Sequence, residues 1–281
     1  MKIGIQSSFF FNYSQLDGLT RMREIGYECA DFQDFINTET DLFTSSLTTF
    51  ESRLLEVSDA CRAAGIEISQ THGPWRWPPQ DAAEEDRQER FDKMALSLHG
   101  TKVLGCPYMV IHPIMPFGCD QNPDPERFYE LNLDFYRRLT KVAEREQVTI
   151  CLENMPMPAL TLARPAEILS LVKEIDSPNL QVCLDTGHCT MCGVSPADAV
   201  RELGSYLKVM HVHDNNGRAD LHLLPYAGVI DWEAFRASLI ETGFDGTLSL
   251  ETGVKRTMPE PLLSYHETGL FRVASHLAGR D

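Results

Sequence analysis

Val148-Thr149-Ile150-Cys151-Leu152-Glu153 and, further on, Leu180-Gln181-Val182-Cys183-Leu184-Asp185 are the stretches that decide the fold. Each is a short apolar run that ends in an acid. Side chains two apart in a strand share a face. Ile150 and Leu152 therefore oppose Cys151 and Glu153, and Val182 and Leu184 oppose Cys183 and Asp185. The same habit recurs outward along the chain at residues 2–6, 28–33, 67–72, 108–112, 208–213 and 247–251. In the last of these Leu248 and Leu250 oppose Thr247, Ser249 and Glu251.

Amphipathic stretches separate these strands. Residues 45–64 carry Leu47, Phe50, Leu54, Leu55, Val57 and Cys61 near helical spacing and stop at Gly65. Residues 126–145 carry Phe128, Leu131, Leu133, Phe135, Leu139 and Val142 in the same manner. Asp231 precedes Trp232 as a helix N-cap. Gly26, Gly65, Gly105 and Gly243 each stop a helix shortly before a strand. Eight strand–helix units in 281 residues predict one α/β domain over 1–281, a single (β/α)8 TIM barrel. The competing open doubly wound sheet usually shows a Gly-rich phosphate turn after its first strand. Gln6-Ser7-Ser8-Phe9 stands there instead. Segments 80–90 and 113–125 read as surface or active-site loops.

Composition narrows the partners. The formal net charge is −16, with 43% hydrophobic and 23% charged residues. Phosphate backbones and anionic membranes attract clustered Lys and Arg, so no nucleic acid and no membrane is expected. A span needs about 18 or more consecutive apolar residues, and no stretch here reads so; nor is a secretory segment apparent. The eight Cys read as reduced thiols of a cytoplasmic protein. Cys189 and Cys192 form a lone C-x-x-C pair, short of a four-ligand zinc pattern.

The chemistry collects at strand ends. His72, His112, Glu153, Asp185, the run His211-Val212-His213-Asp214, and Glu251 all stand there. In a barrel these side chains face the axis at the C-terminal mouth, where active sites form. One such His is more often a hydrogen-bonded structural residue, and one such acid more often a helix cap. Several converging carboxylates, however, repel and take up protons unless a cation sits among them. Carboxylates and imidazole together are ligands for a divalent ion.

These residues carry a resemblance. Thr71-His72-Gly73-Pro74-Trp75, Ile111-His112-Pro113, Leu152-Glu153-Asn154, Leu184-Asp185-Thr186-Gly187-His188 and His211-Val212-His213-Asp214-Asn215 are matching stretches. Asp220-Leu221-His222, Gly228-Val229-Ile230-Asp231-Trp232 and Leu250-Glu251-Thr252 complete them in order. The chain resembles the xylose isomerase-like TIM-barrel superfamily, which spans sugar isomerases, ketohexose 3-epimerases, inosose dehydratases and endonuclease IV. The epimerase branch implies one divalent ion (Mn2+, Mg2+, Co2+ or Zn2+) held by Glu153, Asp185, His211 and Glu251. His211 fits the H-x-x-D/E spacing with Asp214, and His213, on the same face, is its rival. That branch also implies substrate contacts from His188 and from Arg218, the nearest equivalent of an Arg after the strand-seven ligand. The endonuclease branch implies further zinc ligands at His72, His112, His188, Asp220 and His222, all present here. Set against the charge, His72, His112, His213 and His222 read as substrate-binding or positioning groups.

The reading is a metal-dependent sugar or polyol isomerase/epimerase in which Glu153 and Glu251 move a proton through a metal-bound enediolate. Dehydration of an inosose by the same carboxylates is the alternative, and abasic-site DNA cleavage a further one. The expected partner is a small sugar or polyol, and a homo-oligomer is left open. Trp75 and Trp77, with Phe9 to Phe11 and Phe117, form either a wall against a sugar face or ordinary loop packing. Lys255-Arg256 reads as a solvated basic pair before it reads as a phosphate site.

Overall fold

The computed structural model describes residues 1–7, 15–76, 78–79, 81–252 and 258–280. Eight parallel strands are β1 (Lys2–Gln6), β2 (Cys29–Phe32), β3 (Glu67–His72), β4 (Tyr108–Ile111), β5 (Thr149–Glu153), β6 (Leu180–Asp185), β7 (Leu207–His211) and β8 (Thr247–Leu250). The helices are α1 (Gln15–Ile25), α2 (Asp41–Thr44), α3 (Leu47–Ala64), α4 (Glu84–Val103) and α5 (Pro125–Glu146). They continue as α6 (Pro165–Ile175), α7 (Thr186–Met191), α8 (Pro196–Leu203), α9 (Trp232–Thr242) and α10 (Glu260–Leu277). The strand order β7-β6-β5-β4-β3-β2-β1-β8 is one round of a barrel. Just past β7 and β8 the last seam closes. Val212 N–H donates to Ser249 O at 2.9 Å, and Glu251 N–H donates to Val212 O at 3.1 Å.

The alternation read from β5 and β6 holds. Val110, Cys151, Cys183 and Val209 form their own buried cluster inside the barrel. Ile150, Leu152, Val182 and Leu184 belong to the larger core between sheet and helices. Local signals place the helices. Ser46 Oγ caps α3, accepting from Thr49 N–H, and Gly65 ends it with φ 69°. Asp231 caps α9 by accepting from Ala234 N–H. Gly26, Gly105 and Gly243 also take positive φ after α1, α4 and α9. Several strands are shorter than the pattern suggested: β2 by one residue at each end, β4 by His112, and β8 by Glu251. β7 starts at Leu207 and ends at His211, so His213 lies beyond it. Past the strand ends the polar side chains bond to one another across the mouth, as His213 does to Asp185 and His188 to Asp220. Among the described residues no helix is long and apolar enough to cross a membrane.

The loop after β4 is latched from below. Arg90 and Asp81 form an ion pair with side-chain exposures of 7% and 0%. Arg90 Nη2 also donates to His112 O at 3.2 Å, and Tyr136 Oη donates to the same carbonyl at 2.6 Å. Met115 N–H donates to Asp81 Oδ2 at 2.8 Å. Removing one partner leaves a buried charge unpaired. Asp81→Ala should therefore cost about 3–5 kcal/mol in urea unfolding. A loss below about 1 kcal/mol, the range of an exposed pair, would show that the latch carries no such weight.

Candidate metal centre and active site

Four strands deliver four candidate ligands to one point. Glu153 ends β5, Asp185 ends β6, His211 ends β7 and Glu251 follows β8. One ligand atom from each lies within 4.8 Å of the others. Glu153 and Asp185 are 1% and 0% exposed, and His211 is 0% exposed. His211 Nδ1 stands 2.8 Å from Glu153 Oε1 and 3.5 Å from Glu251 Oε2. Two carboxylate charges at the 4.8 Å limit repel by roughly 3–4 kcal/mol at an effective dielectric of about 20. Burial opposes charge on His211, but Glu153 and then Glu251 hold its pKa well above the usual imidazole range. Burial likewise opposes charge on Glu153, but His211 and His112 hold it well below the usual carboxylate range. His211 and His188, the latter raised beside Asp185, supply two positive charges against these three carboxylates and the buried Asp31, so negative charge stays in excess.

That excess is what a divalent cation corrects, and the donor set fits one. The oxygens and one imidazole suit Mg2+, Mn2+, Co2+ or Zn2+. Glu153 Oε2, fully buried, has no directed hydrogen bond, although His112 Nε2 stands 2.9 Å away. Cys183 Sγ also reaches Glu153 and His211. Burial, then the charge of Glu153, pushes that thiol well above its usual range. Neutral thiols are poor ligands.

Two histidine-rich groups flank the four. On one side His72 and His112 face Glu153. His72 Nδ1 contacts Gly73 O at 2.9 Å, and its ring stacks on His211 with centroids 5.5 Å apart. Burial lowers His112 to about 4 despite Glu153. Trp75 meets the His112 ring edge-on at 4.5 Å, so it does border the site. On the other side stand His188, His213, Asp220 and His222. His188 Nδ1 contacts Asn154 O at 2.8 Å, and Nε2 contacts Asp220 Oδ2 at 3.2 Å. Burial opposes its charge, but Asp185 and the bond to Asp220 raise it to about 10. His222 is opposed by burial too, yet its bond to Asp220 raises it to about 9.

The rivals separate here. His213 Nε2 bonds Asp185 Oδ2 at 2.9 Å, and the ring stacks on His222 at 4.1 Å. It groups with Asp185, His188, Asp220 and His222, whereas His211 groups with Glu153, Asp185 and Glu251. Gly187 makes room for it, since a Cβ there would lie 2.0 Å from His213 Cε1. Arg218 is not brought to the cluster. It is exposed, with its backbone N–H donating to Asn216 Oδ1 at 2.9 Å. Phe117 packs on Phe128 at 6.4 Å. Phe9 to Phe11, Trp77, Lys255 and Arg256 lie outside the described residues.

Three residues of the site were given no role from sequence. Asp31 in β2 faces His211, and Gln70 in β3 faces Asp31. Inward alternation along both strands was the available signal. Asn154 ties β5 to β6, with Oδ1 accepting from Asp185 N–H and Nδ2 donating to Asp185 O. Asp214, read as half of a ligand spacing, is instead a clip for the loop before α9. Its carboxylate accepts from Gly228, Val229 and Ile230 N–H and from Trp232 Nε1. Gly228 has no space for a side chain, since a Cβ would lie 2.1 Å from Asn215 O.

Comparisons with known proteins agree on the architecture. A family model described as a xylose isomerase-like TIM barrel matches residues 19–271. The protein MJ1311 of Methanocaldococcus jannaschii, uncharacterised, is 28% identical over 260 residues, 89% of this chain and 83% of its own. D-psicose 3-epimerase of Ruminiclostridium cellulolyticum is 29% identical over 146 residues, 52% of this chain and 48% of the enzyme. Among solved structures, the IolI protein with a bound zinc atom has a TM-score of 0.78 at 19% identity. That match covers 100% of this chain and 99% of the other, and speaks to the fold.

Asp214→Ala strips several N–H groups of a shared, charged acceptor. It should cost roughly 2–4 kcal/mol and open the segment around Asn216 to Leu221 to limited proteolysis. The barrel's circular dichroism should persist. Unchanged protease resistance would show that the clip does not hold the loop.

Proposed function

This chain belongs to the xylose isomerase-like TIM-barrel family, and we propose that it is a divalent-metal-dependent sugar or polyol isomerase or epimerase. The observation that carries the reading is the meeting of Glu153, Asp185, His211 and Glu251 within 4.8 Å at the mouth of the barrel. The likeness to a D-psicose 3-epimerase supports the substrate class, and the zinc in the IolI structure supports the ion. The whole chain, residues 1–281, works as one unit on a small molecule.

In this reading Glu153, Asp185, His211 and Glu251 hold the ion. When bound, it supplies Lewis acidity that makes the hydrogen beside a substrate carbonyl more acidic. Glu153 and Glu251 reach the site from β5 and β8 and approach the same His211 nitrogen. One carboxylate takes the hydrogen from the carbon next to the carbonyl. The acid form of the other returns a proton. Return to the same carbon from the opposite face inverts it, and return to the former carbonyl carbon, with the adjacent hydroxyl's proton passing to the former carbonyl oxygen, exchanges aldose for ketose. Loss of a β-hydroxyl, which takes the proton of that acid and leaves as water, gives dehydration instead, the second outcome open to the same pair. His72 and His112 offer ring nitrogens to substrate hydroxyls, His188, His213 and His222 line the other side with theirs engaged by Asn154, Asp185, Asp220 and Glu251, and Trp75 offers an apolar edge. Most of these rings are buried, which excludes competing water.

A metal-dependent phosphodiesterase is the other reading, favoured by one observation. His72 and His112 on one side, and His188, Asp220 and His222 on the other, add two further ligand groups around the four. The net charge of −16 weighs against a DNA substrate. Metal analysis separates the two. One ion per chain without abasic-site nicking fits the sugar enzyme, and near three zinc with nicking fits the nuclease.

Glu251→Gln should fold normally, bind the ion more weakly and lose exchange of the substrate's α-hydrogen with solvent deuterium by roughly 10²–10⁴-fold. Mass spectrometry of ketoses and inososes incubated in D2O reads this directly. Exchange at the wild-type rate would remove Glu251 from the chemistry.

A further inference from the structure

Asp31 lies inside the barrel, 0% exposed, on a strand that contributes none of the four residues just assigned. Its Oδ2 stands 3.0 Å from His211 Nε2 and 3.1 Å from Gln70 Nε2. Gln70 is also 0% exposed. Its amide nitrogen faces a second oxygen, Met210 O, at 3.5 Å, one residue before His211. Two oxygens on the same side fix which end of the Gln70 amide points there, because only the nitrogen end can donate. Asp31 Oδ2 is therefore an acceptor in this contact, and the hydrogen between it and His211 belongs to Nε2. The other ring nitrogen, Nδ1, is the one that faces Glu153 Oε1 and Glu251 Oε2.

A neutral imidazole has one N–H and one lone pair, and the hydrogen bond made by one nitrogen decides the role of the other. We propose that Asp31, itself oriented by Gln70, is a positioning residue that fixes His211 in the Nε2–H tautomer and so presents Nδ1 to the metal. The inference rests on the reading of His211 as a ligand and deepens it, by naming the nitrogen and the group that selects it. The chain of contacts runs right across the barrel, from β3 through β2 to β7. His211 is thus held from the side opposite Glu153, and its ring plane is set before any ion or substrate arrives.

The test uses the intact protein with Zn2+ and Co2+. In the Zn2+-loaded wild type, long-range 1H–15N NMR of the imidazole rings should show a hydrogen on His211 Nε2 and none on Nδ1, with His211→Gln identifying the signals. A hydrogen on Nδ1 overturns the proposal, whatever any variant does. Asp31→Asn keeps the shape but lets an amide N–H face the ring. It should weaken Co2+ binding about 10–100-fold and change the visible Co2+ bands, with the thermal unfolding of the ion-free protein following the fold separately. Glu251→Gln is titrated beside it. If Glu251→Gln weakens Co2+ and Asp31→Asn leaves both affinity and bands unchanged, the positioning role fails and the four-ligand reading stands. If wild type and Glu251→Gln bind Co2+ alike, the four-ligand reading fails, and this inference with it. Should Asp31→Asn not fold, the wild-type NMR result still decides.

Discussion

Buried like charge is the constraint on which the mouth of this barrel depends. Asp31, Glu153 and Asp185 are buried and Glu251 is 13% exposed, all gathered around His211. Water cannot relieve them, so every neighbour is recruited to do so. His211 touches Glu153, Glu251 and Asp31; His213 and the His188 backbone take the two oxygens of Asp185. Asp220 binds two of the outer rings, His188 and His222. The sheet beneath is ordinary apolar packing. Its polar rim is where stability is given up for a site, the pattern expected wherever local rules are broken at a functional centre.

The scaffold answers that strain with stiff supports just below and beside it. The Asp81–Arg90 pair and Tyr136 hold the carbonyl of His112, which fixes one wall. Asn154 spans the ends of β5 and β6 in place of backbone pairing, which fixes the separation of Glu153 and Asp185. Closure of the barrel through Val212 brings Glu251 against the strand that carries His211. None of these supports touches a substrate in the proposed chemistry. Each sets a distance that the chemistry depends on.

Much of this was legible in the sequence, for a physical reason. Strands buried on both sides leave long aliphatic runs, and an acid at the end of such a run stands out, as at Glu153 and at Asp185, which also caps α7. The period of two then gave the inward face, and the interior cluster of Cys151 and Cys183 follows it. What stayed hidden depends on distance through space. Asp31 sits within an apolar run whose inward face meets His211 across the barrel, and no spacing along the chain records that. Arg218 was placed by analogy in a loop whose path is set by Asp214 and not by its length. His211 and His213 share a face and a strand end, so only the positions of Glu153 and Asp220 tell them apart.

The Asp214 clip has a consequence for how such an enzyme can change. The path of the segment from Asn215 to Ile230 is fixed by one buried carboxylate and a bridge to Leu223. The side chains of Asn216, Arg218, Leu221 and Val229 point outward from it and are exposed. Substitution at those positions costs little stability, yet Leu221 sits between Asp220 and His222 at the edge of the site. Evolution can therefore explore new substrates along this loop without first destabilising the barrel. The segment behaves as an interchangeable rim on a fixed catalytic base.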